Sequence, residues 1–212
     1  MPGADSSDVP PLLSFEVPKL KDLPNTCTEW NDVELPIDFL LLTVEDCEFL
    51  GCYYYLEKPF KSYCRDIGPV YFGSMASDGK RPLKIALMKC SKGSAVPGGS
   101  LTVVQNAVRV LRPKAVFSVG ACSGLSREEV KLGDVVVSSK LTTAVYRTPT
   151  SRDIGTLIRH AADGWNAPLE NPDALDVRVH CDGEVLSRPE GVGGDLIQRC
   201  HEATEVEMEG EG

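Results

Sequence analysis

Short apolar runs alternate along the chain with segments whose apolar residues recur at helical spacing. Strands are predicted at 37–44, 70–73, 83–88, 115–120 and 134–138, and helices at 45–56 and 101–111. The runs at 37–44 and 115–120 are dense enough for strands that are buried on both faces. This alternation predicts an α/β unit with a largely parallel sheet, whose ligand crevice lies beyond the carboxyl ends of the strands.

The two ends of the chain have different patterns. Residues 1–32 carry five prolines and little periodicity, which predicts a flexible tail or linker before a folded domain at 33–212. Towards the other end, we expect a helix at 153–165, strands at 177–181 and 184–186, and a helix at 191–201 behind a glycine-rich start.

Composition narrows the classes of protein. The 212 residues are 42% hydrophobic and 25% charged, as in ordinary globular proteins, and their net charge is −9. Such an acidic chain repels phosphate backbones, which disfavours nucleic acid as a partner. The apolar run at 37–44 is far shorter than the ~20 residues of a membrane-spanning helix. The eight cysteines include no C-x-x-C pair and the three histidines no H-E-x-x-H motif, so we expect reduced thiols in a cytoplasmic protein without a metal or cofactor.

Two small-residue loops follow predicted strands. GSAVPGGS at 93–100 has the spacing of a phosphate-binding loop, but Gly99 occupies the place of the required lysine, so a flexible strand-to-helix turn is the better interpretation. VGACSG at 119–124 lacks the G-x-G-x-x-G spacing of a dinucleotide-binding loop, yet its small residues allow a backbone to approach a ligand. Cys122 could be a nucleophile, although a cysteine with no histidine near it in sequence is more often a packing group.

Charged residues near these loops and at the chain end have two interpretations each. Lys89, Lys92 and Ser100 could favour an anionic substrate, whereas exposed lysines in loops are usually only solvated. The glutamates of EVEMEGEG at 205–212 could belong to a half-buried edge strand or an acidic tail. Alternatively, a carboxylate beside a methionine faces a pocket, where its two oxygens accept hydrogen bonds from a vicinal diol.

Three blocks carry a resemblance to a known superfamily. They are TVEDCEFL at 43–50, AVFSVGACSGLSREEVKLGDVVVSSKL at 115–141 and VEMEGEG at 206–212. In this order they resemble the nucleoside phosphorylases and nucleosidases, a superfamily that includes purine nucleoside and uridine phosphorylases and methylthioadenosine/adenosylhomocysteine nucleosidases. The likeness is greatest to modules in multidomain animal immune-type proteins. It implies a three-layer α/β fold, a twisted mixed sheet flanked by helices, and cleavage of the bond between ribose and a purine.

The resemblance also implies roles for individual residues. The transition state is a ribosyl oxocarbenium ion, so the enzyme holds the sugar hydroxyls, brings a nucleophile to the anomeric carbon and protonates the base. Glu209 matches the carboxylate that accepts from the ribose hydroxyls. The other matches are Met208 on the sugar, Glu207 in the same motif, Gly120, Ala121 and Cys122 in the loop near sugar and nucleophile, and Val185 and Leu186 over the base.

The matched positions favour hydrolysis over phosphorolysis. Phosphorylases bind phosphate with an arginine two residues before the loop glycine and a serine just after it, and here these places hold Ser118 and Ala121. A phosphate dianion without a counter-charge binds poorly. Nucleosidases keep a glutamate that positions water. Glu48 is our choice for this catalytic residue and Glu45 the alternative, with water as the expected co-substrate and phosphate as the second possibility.

The chain end limits what the resemblance predicts. After VEME the family continues to a strand and an Ile-Ser-Asp type loop whose aspartate protonates the base, whereas this sequence ends at Gly212. We therefore expect a domain that is incomplete at its C-terminus and lacks this proton donor. The expected function is cleavage of a purine nucleoside or nucleotide, and the alternative is a non-catalytic nucleoside-binding or interaction module of a larger signalling protein. Assembly as a homo-oligomer is common in the family and is a further expectation.

Overall fold

The protein consists of two compact units. The computed structural model describes residues 12–75, 81–93, 96–124, 130–142, 147–172, 177–187 and 205–207. One unit comprises residues 17–121, and the other combines residues 1–16 with 122–211. Each unit has its own mixed sheet, so the predicted α/β class is confirmed.

The unit of residues 17–121 contains a six-stranded sheet. Its strands are β1 (Cys27–Thr28), β2 (Phe39–Thr43), β3 (Glu57–Cys64), β4 (Gly68–Met75), β5 (Leu83–Lys89) and β6 (Ala115–Ser118), and its helices are α1 (Asp46–Tyr54) and α2 (Ser100–Leu111). The strand order is β1-β3-β4-β5-β2-β6. β2 pairs in parallel with both β5 and β6, whereas β4 is antiparallel to β3 and β5.

Helices cover both faces of this sheet. Alternate side chains of a strand point to opposite faces, and each face of β2 therefore joins a different apolar cluster. The α2 side includes Leu40, Leu42, Ala107 and Leu111, and the α1 side includes Phe39, Leu41, Phe49 and Tyr53. The helix–sheet–helix layering implied by the resemblance is thus present in this unit.

Part of the segment that the sequence predicted as a tail belongs to this sheet. β1 pairs in parallel with β3, with Cys27 opposite Lys61. The ring centroids of Trp30 and Phe72 lie 6.0 Å apart, so Trp30 packs against the core. The structure differs here from the prediction, because this proline-rich segment gains its contacts from the sheet rather than from a periodic pattern of its own.

The other unit contains a five-stranded sheet. Its elements are β7 (Ser123–Gly124), β8 (Val135–Thr142), β9 (Arg147–Pro149), α3 (Arg152–Arg159), β10 (Val179–Ser187) and β11 (Glu205–Glu207). The strand order is β7-β11-β10-β8-β9. β11 has a neighbour on both sides and is therefore not an edge strand. The two strands predicted at 177–181 and 184–186 form one strand, β10, with register shifts at Gly183. The helix predicted at 191–201 lies outside the described residues.

A buried carboxylate joins the amino ends of β8 and β10. Asp134 Oδ2 lies 2.9 Å from His180 Nε2, and the N–H groups of Arg178 and Lys131 donate to the same carboxylate. Burial raises the pKa of Asp134, but these hydrogen bonds together outweigh it and hold the pKa below its ordinary value. The interaction therefore stabilises this sheet at the end away from the carboxyl termini of its strands.

The described helices are short. None of those in the part of the chain that the structure describes is long and apolar enough to cross a membrane.

Candidate active site

Three neighbouring parallel strands end at one edge of the six-stranded sheet. β2 lies between β5 and β6, with Thr43 opposite Lys89 and Leu42 opposite Ser118. The N–H of Val119 extends the pairing by donating to the carbonyl of Leu42 at 2.8 Å. The segments that follow these strands therefore meet at the edge where α/β sheets bind their ligands.

Glu48 is oriented by the first turn of α1. Its Oε2 accepts hydrogen bonds from the N–H of Val44 at 3.0 Å and from the N–H of Glu45 at 2.9 Å. A glutamate at the third helical position that reaches back to the N-cap N–H satisfies donors that the helix itself leaves unpaired. The local sequence thus turns the carboxylate of Glu48 back towards the end of β2.

The other oxygen of Glu48 contacts the loop after β6. The N–H of Ala121 donates to Glu48 Oε1 at 3.0 Å. Gly120 permits this approach, since a Cβ atom at that position would lie 3.3 Å from the same oxygen, closer than an ordinary van der Waals contact. Glu48, Gly120 and Ala121, which come from distant parts of the sequence, therefore lie together.

The geometry distinguishes the two glutamates that the sequence left open. Glu48 is half-buried and its carboxylate makes the contact with the loop. Glu45 is exposed, and its backbone N–H donates to Glu48. Of these two side chains, the one that joins α1 to the loop of Gly120 is Glu48.

Asp46, two residues before Glu48, forms an ion pair that the sequence does not predict. The ammonium group of Lys89 pairs with Oδ1 of Asp46, and their side chains are 41% and 53% exposed. Lys89 ends β5, and Asp46 begins α1 just after β2. Only the parallel pairing of β5 with β2 brings these residues together, so no local sequence pattern predicts the contact.

The cysteines near this edge differ in exposure. Cys52 lies one helical turn after Glu48, and burial, followed by the negative charge of Glu48, raises the pKa of its thiol to about 11. Cys52 is therefore a protonated thiol at neutral pH and a poor nucleophile. Cys122, which the resemblance places in the substrate loop, is exposed.

Other predicted substrate-binding residues lie on two neighbouring strands of the second unit. β10 and β11 are parallel, with Leu186 opposite Val206 and Ser187 opposite Glu207. Leu186 and Glu207 are therefore at the carboxyl ends of adjacent strands, and the partly buried Val185 precedes Leu186. Met208 and Glu209, to which the resemblance gives the sugar contacts, lie outside the described residues.

The surroundings of Glu48 suit a carboxylate that orients water. Three backbone N–H groups fix its position, and Oε1, which accepts one of these hydrogen bonds, keeps lone-pair capacity for a further donor. Within the described ranges, no lysine or arginine forms an ion pair with Glu48. The described residues also contain no group of three or more His, Cys, Asp or Glu side chains arranged for a metal ion.

Solved structures are similar in fold to this chain. The 5′-methylthioadenosine/S-adenosylhomocysteine nucleosidase of Neisseria meningitidis is similar with a TM-score of 0.56 at 14% identity, covering 81% of this chain and 75% of that one. The futalosine hydrolase of Helicobacter pylori is similar with a TM-score of 0.57 at 14% identity, covering 82% and 76%. The chain therefore has the α/β fold of these nucleosidases.

One curated relative adds sequence similarity to the similarity of fold. A Death domain-containing ATP nucleosidase of Amphimedon queenslandica is 24% identical over 220 residues, which cover 86% of this chain and 40% of the relative. The chain thus spans about two fifths of the length of this relative. No family model matches the chain. Together, the relative and the solved structures confirm the resemblance to the nucleoside phosphorylase and nucleosidase superfamily.

Proposed function

We propose that the chain carries a nucleosidase-type domain that hydrolyses the N-glycosidic bond of a purine nucleoside or nucleotide. The observation that carries the proposal is the 3.0 Å hydrogen bond from the N–H of Ala121 to Glu48 Oε1. It holds a carboxylate against a small-residue loop at the ligand-binding edge of a parallel sheet. The similarity to proteins named as nucleosidases supports cleavage over the alternative of binding alone.

In the proposed reaction, Glu48 acts on water. Its carboxylate accepts a proton from a water molecule while the water oxygen attacks the anomeric carbon of ribose. The C–N bond breaks, its electron pair leaves with the base, and the base takes a proton from solvent, to which Glu48 returns the proton that it accepted. By resemblance, Glu209 accepts hydrogen bonds from the ribose hydroxyls beside Met208, while Val185 and Leu186 cover the base.

Two features support water rather than phosphate as the co-substrate. Ser118 and Ala121 stand where phosphorylases have a phosphate-binding arginine and serine. The negative charge of Glu48 would also repel a phosphate dianion at the position of the nucleophile. Water carries no charge and can donate a hydrogen bond to Glu48.

The test is chromatographic detection of free base after incubation with purine nucleosides and nucleotides, with and without phosphate. Hydrolysis predicts the same release in both conditions. Release only with phosphate would replace hydrolysis by phosphorolysis. Ligand binding without any release would support the non-catalytic module instead.

The ribose contact can be tested separately. Glu209→Ala removes the proposed acceptor of the ribose hydroxyls, so we expect ribonucleoside binding to be lost. Unchanged affinity in equilibrium dialysis would contradict this role for Glu209.

A further inference from the structure

We infer that Lys89 distinguishes nucleotides from nucleosides by binding the 5′-phosphate groups of the substrate. The inference rests on the proposed function and adds to it a residue that selects the substrate class.

The position of Lys89 supports this role. It is the last residue of β5 and lies opposite Thr43, the last residue of β2. Glu48 follows β2 in the first turn of α1, the same turn that contributes Asp46 to the ion pair with Lys89. Lys89 therefore ends the strand next to β2, and Glu48 lies in the first turn of the helix that follows β2.

A nucleotide undergoing cleavage needs both charges at separate places. The attacking water needs a carboxylate to take its proton. The phosphate groups are anionic and bind an ammonium through charge-assisted hydrogen bonds. Glu48 and Lys89 supply these two partners from one edge of the sheet.

The ion pair with Asp46 leaves the ammonium group of Lys89 able to exchange its partner for another anion. Both side chains are about half exposed to solvent, and exposed pairs of this kind contribute little to stability. An incoming phosphate can therefore replace Asp46 as the partner of the ammonium at small cost. Asp46 then acts as a competitor that orients Lys89 and weakens its hold on anions.

The same strand provides a matched control. Lys84, near the amino end of β5, pairs with Glu34 at 2.8 Å, and their side chains are 32% and 81% exposed. Lys84→Gln and Lys89→Gln remove the same charge from the same strand. Only the second variant alters the edge that carries Glu48.

The experiment measures kcat/KM for base release from ATP and from adenosine in the wild type and three variants. Lys89→Gln should lower the ATP-to-adenosine ratio by about 10- to 100-fold, the range for one lost hydrogen bond to a charged group. Asp46→Asn should raise the ratio, because the competing carboxylate is gone. Lys84→Gln should leave the ratio at the wild-type value. Circular dichroism melting checks that each variant is folded.

The outcomes separate the inference from the proposed function. An unchanged ratio in Lys89→Gln, with base still released, overturns the role of Lys89 and leaves the nucleosidase proposal standing. If the wild type releases no base, the nucleosidase proposal fails, and dissociation constants for ATP and adenosine from equilibrium dialysis replace the kinetics. Selective loss of ATP binding in Lys89→Gln then supports the inference, whereas equal binding or no binding overturns it.

Discussion

Two carboxylates at opposite ends of β2 connect the same group of strands by different means. Before β2, Asp38 Oδ2 accepts from the N–H of Lys84 at 2.8 Å, and Oδ1 pairs with the ammonium of Lys114 at 2.6 Å. After β2, Glu48 is held by the N–H groups of Val44, Glu45 and Ala121. Asp38 links the residue before β2 to β5 and to the residue before β6, and Glu48 links the segment after β2 to the loop after β6.

The difference lies in how each charge is compensated. The hydrogen bond from Lys114, and then that from the backbone of Lys84, hold the pKa of Asp38 below its ordinary value. The Asp38 side chain is 10% exposed and paired with a cation. Glu48 is held by three uncharged backbone N–H donors, which set its orientation without a cation among them. At one end of β2 a carboxylate is paired with a cation, and at the other a carboxylate is held by backbone N–H groups.

The largest expected effect is on catalysis, in Glu48→Gln. The amide oxygen can still accept from the N–H groups of Val44 and Glu45, but the NH2 group then faces the N–H of Ala121, and the side chain can no longer take a proton. Base release should fall by about 10²- to 10⁴-fold, the usual contribution of a general base, and circular dichroism melting checks that the variant is folded. Glu45→Gln, which neutralises the neighbouring exposed glutamate, is the control. A Glu48→Gln variant with the wild-type rate would exclude Glu48 as the base.

The second largest expected effect is a loss of stability in Asp38→Ala. The N–H of Lys84 loses its acceptor and Lys114 loses its partner, which should lower the free energy of unfolding by about 2–3 kcal/mol. Urea denaturation measures this effect. Glu34→Ala breaks the exposed pair with Lys84 and should change stability much less. An equally small loss of stability in Asp38→Ala would mean that the pairing of strands at the amino end of β2 does not depend on this carboxylate.

A smaller effect on activity is expected in Gly120→Ala. The new Cβ would lie 3.3 Å from Glu48 Oε1, so the carboxylate or the loop must shift by a few tenths of an ångström. We expect kcat to fall by about 10-fold, since catalysis depends on geometry at this scale. Gly51→Ala is the control, because a Cβ at Gly51 meets nothing within 4 Å. In the middle of α1 this change should stabilise the protein by up to about 1 kcal/mol.

The smallest expected effect is a change in the free energy of unfolding with pH. The pKa of Asp38 is lower in the folded state than in the unfolded state, so the unfolded chain binds the proton first as the pH falls. The stabilisation is complete above the ordinary aspartate pKa of about 3.9. It is lost as the pH falls through the lower folded pKa. The stability difference between the wild type and Asp38→Asn should therefore narrow below about pH 4 in urea titrations. A constant difference from pH 7 to pH 3 would contradict this.

Local patterns predict the elements that bury a dense or periodic set of apolar residues. β2, α1 and α2 are close to the predicted bounds because their side chains enter the two clusters on the faces of the sheet. β3 was missed. Its sequence EKPFKSYC is polar and contains Pro59, and its place in the sheet depends on pairing with β4 and β1.

The site shows the same limit. The resemblance brings Glu48, Gly120 and Ala121 into one site, and the structure places them in contact. The pairing of Asp46 with Lys89 depends on the register between β2 and β5. Because that register forms only in the folded sheet, neither residue signals the other in the sequence.

The position of β2 between β5 and β6 also has a consequence for synthesis on the ribosome. Leu40 pairs with Ala86 on one side and with Val116 on the other. Both edges of this apolar strand therefore stay unpaired until residues much later in the chain have been synthesised. β3, β4 and β5 are consecutive antiparallel strands and can pair as soon as they emerge. Until residue 118 leaves the exit tunnel, the segment FLLLT keeps at least one edge open to other chains. In the nascent protein, β2 is therefore open to association with other chains until β5 and β6 have been made.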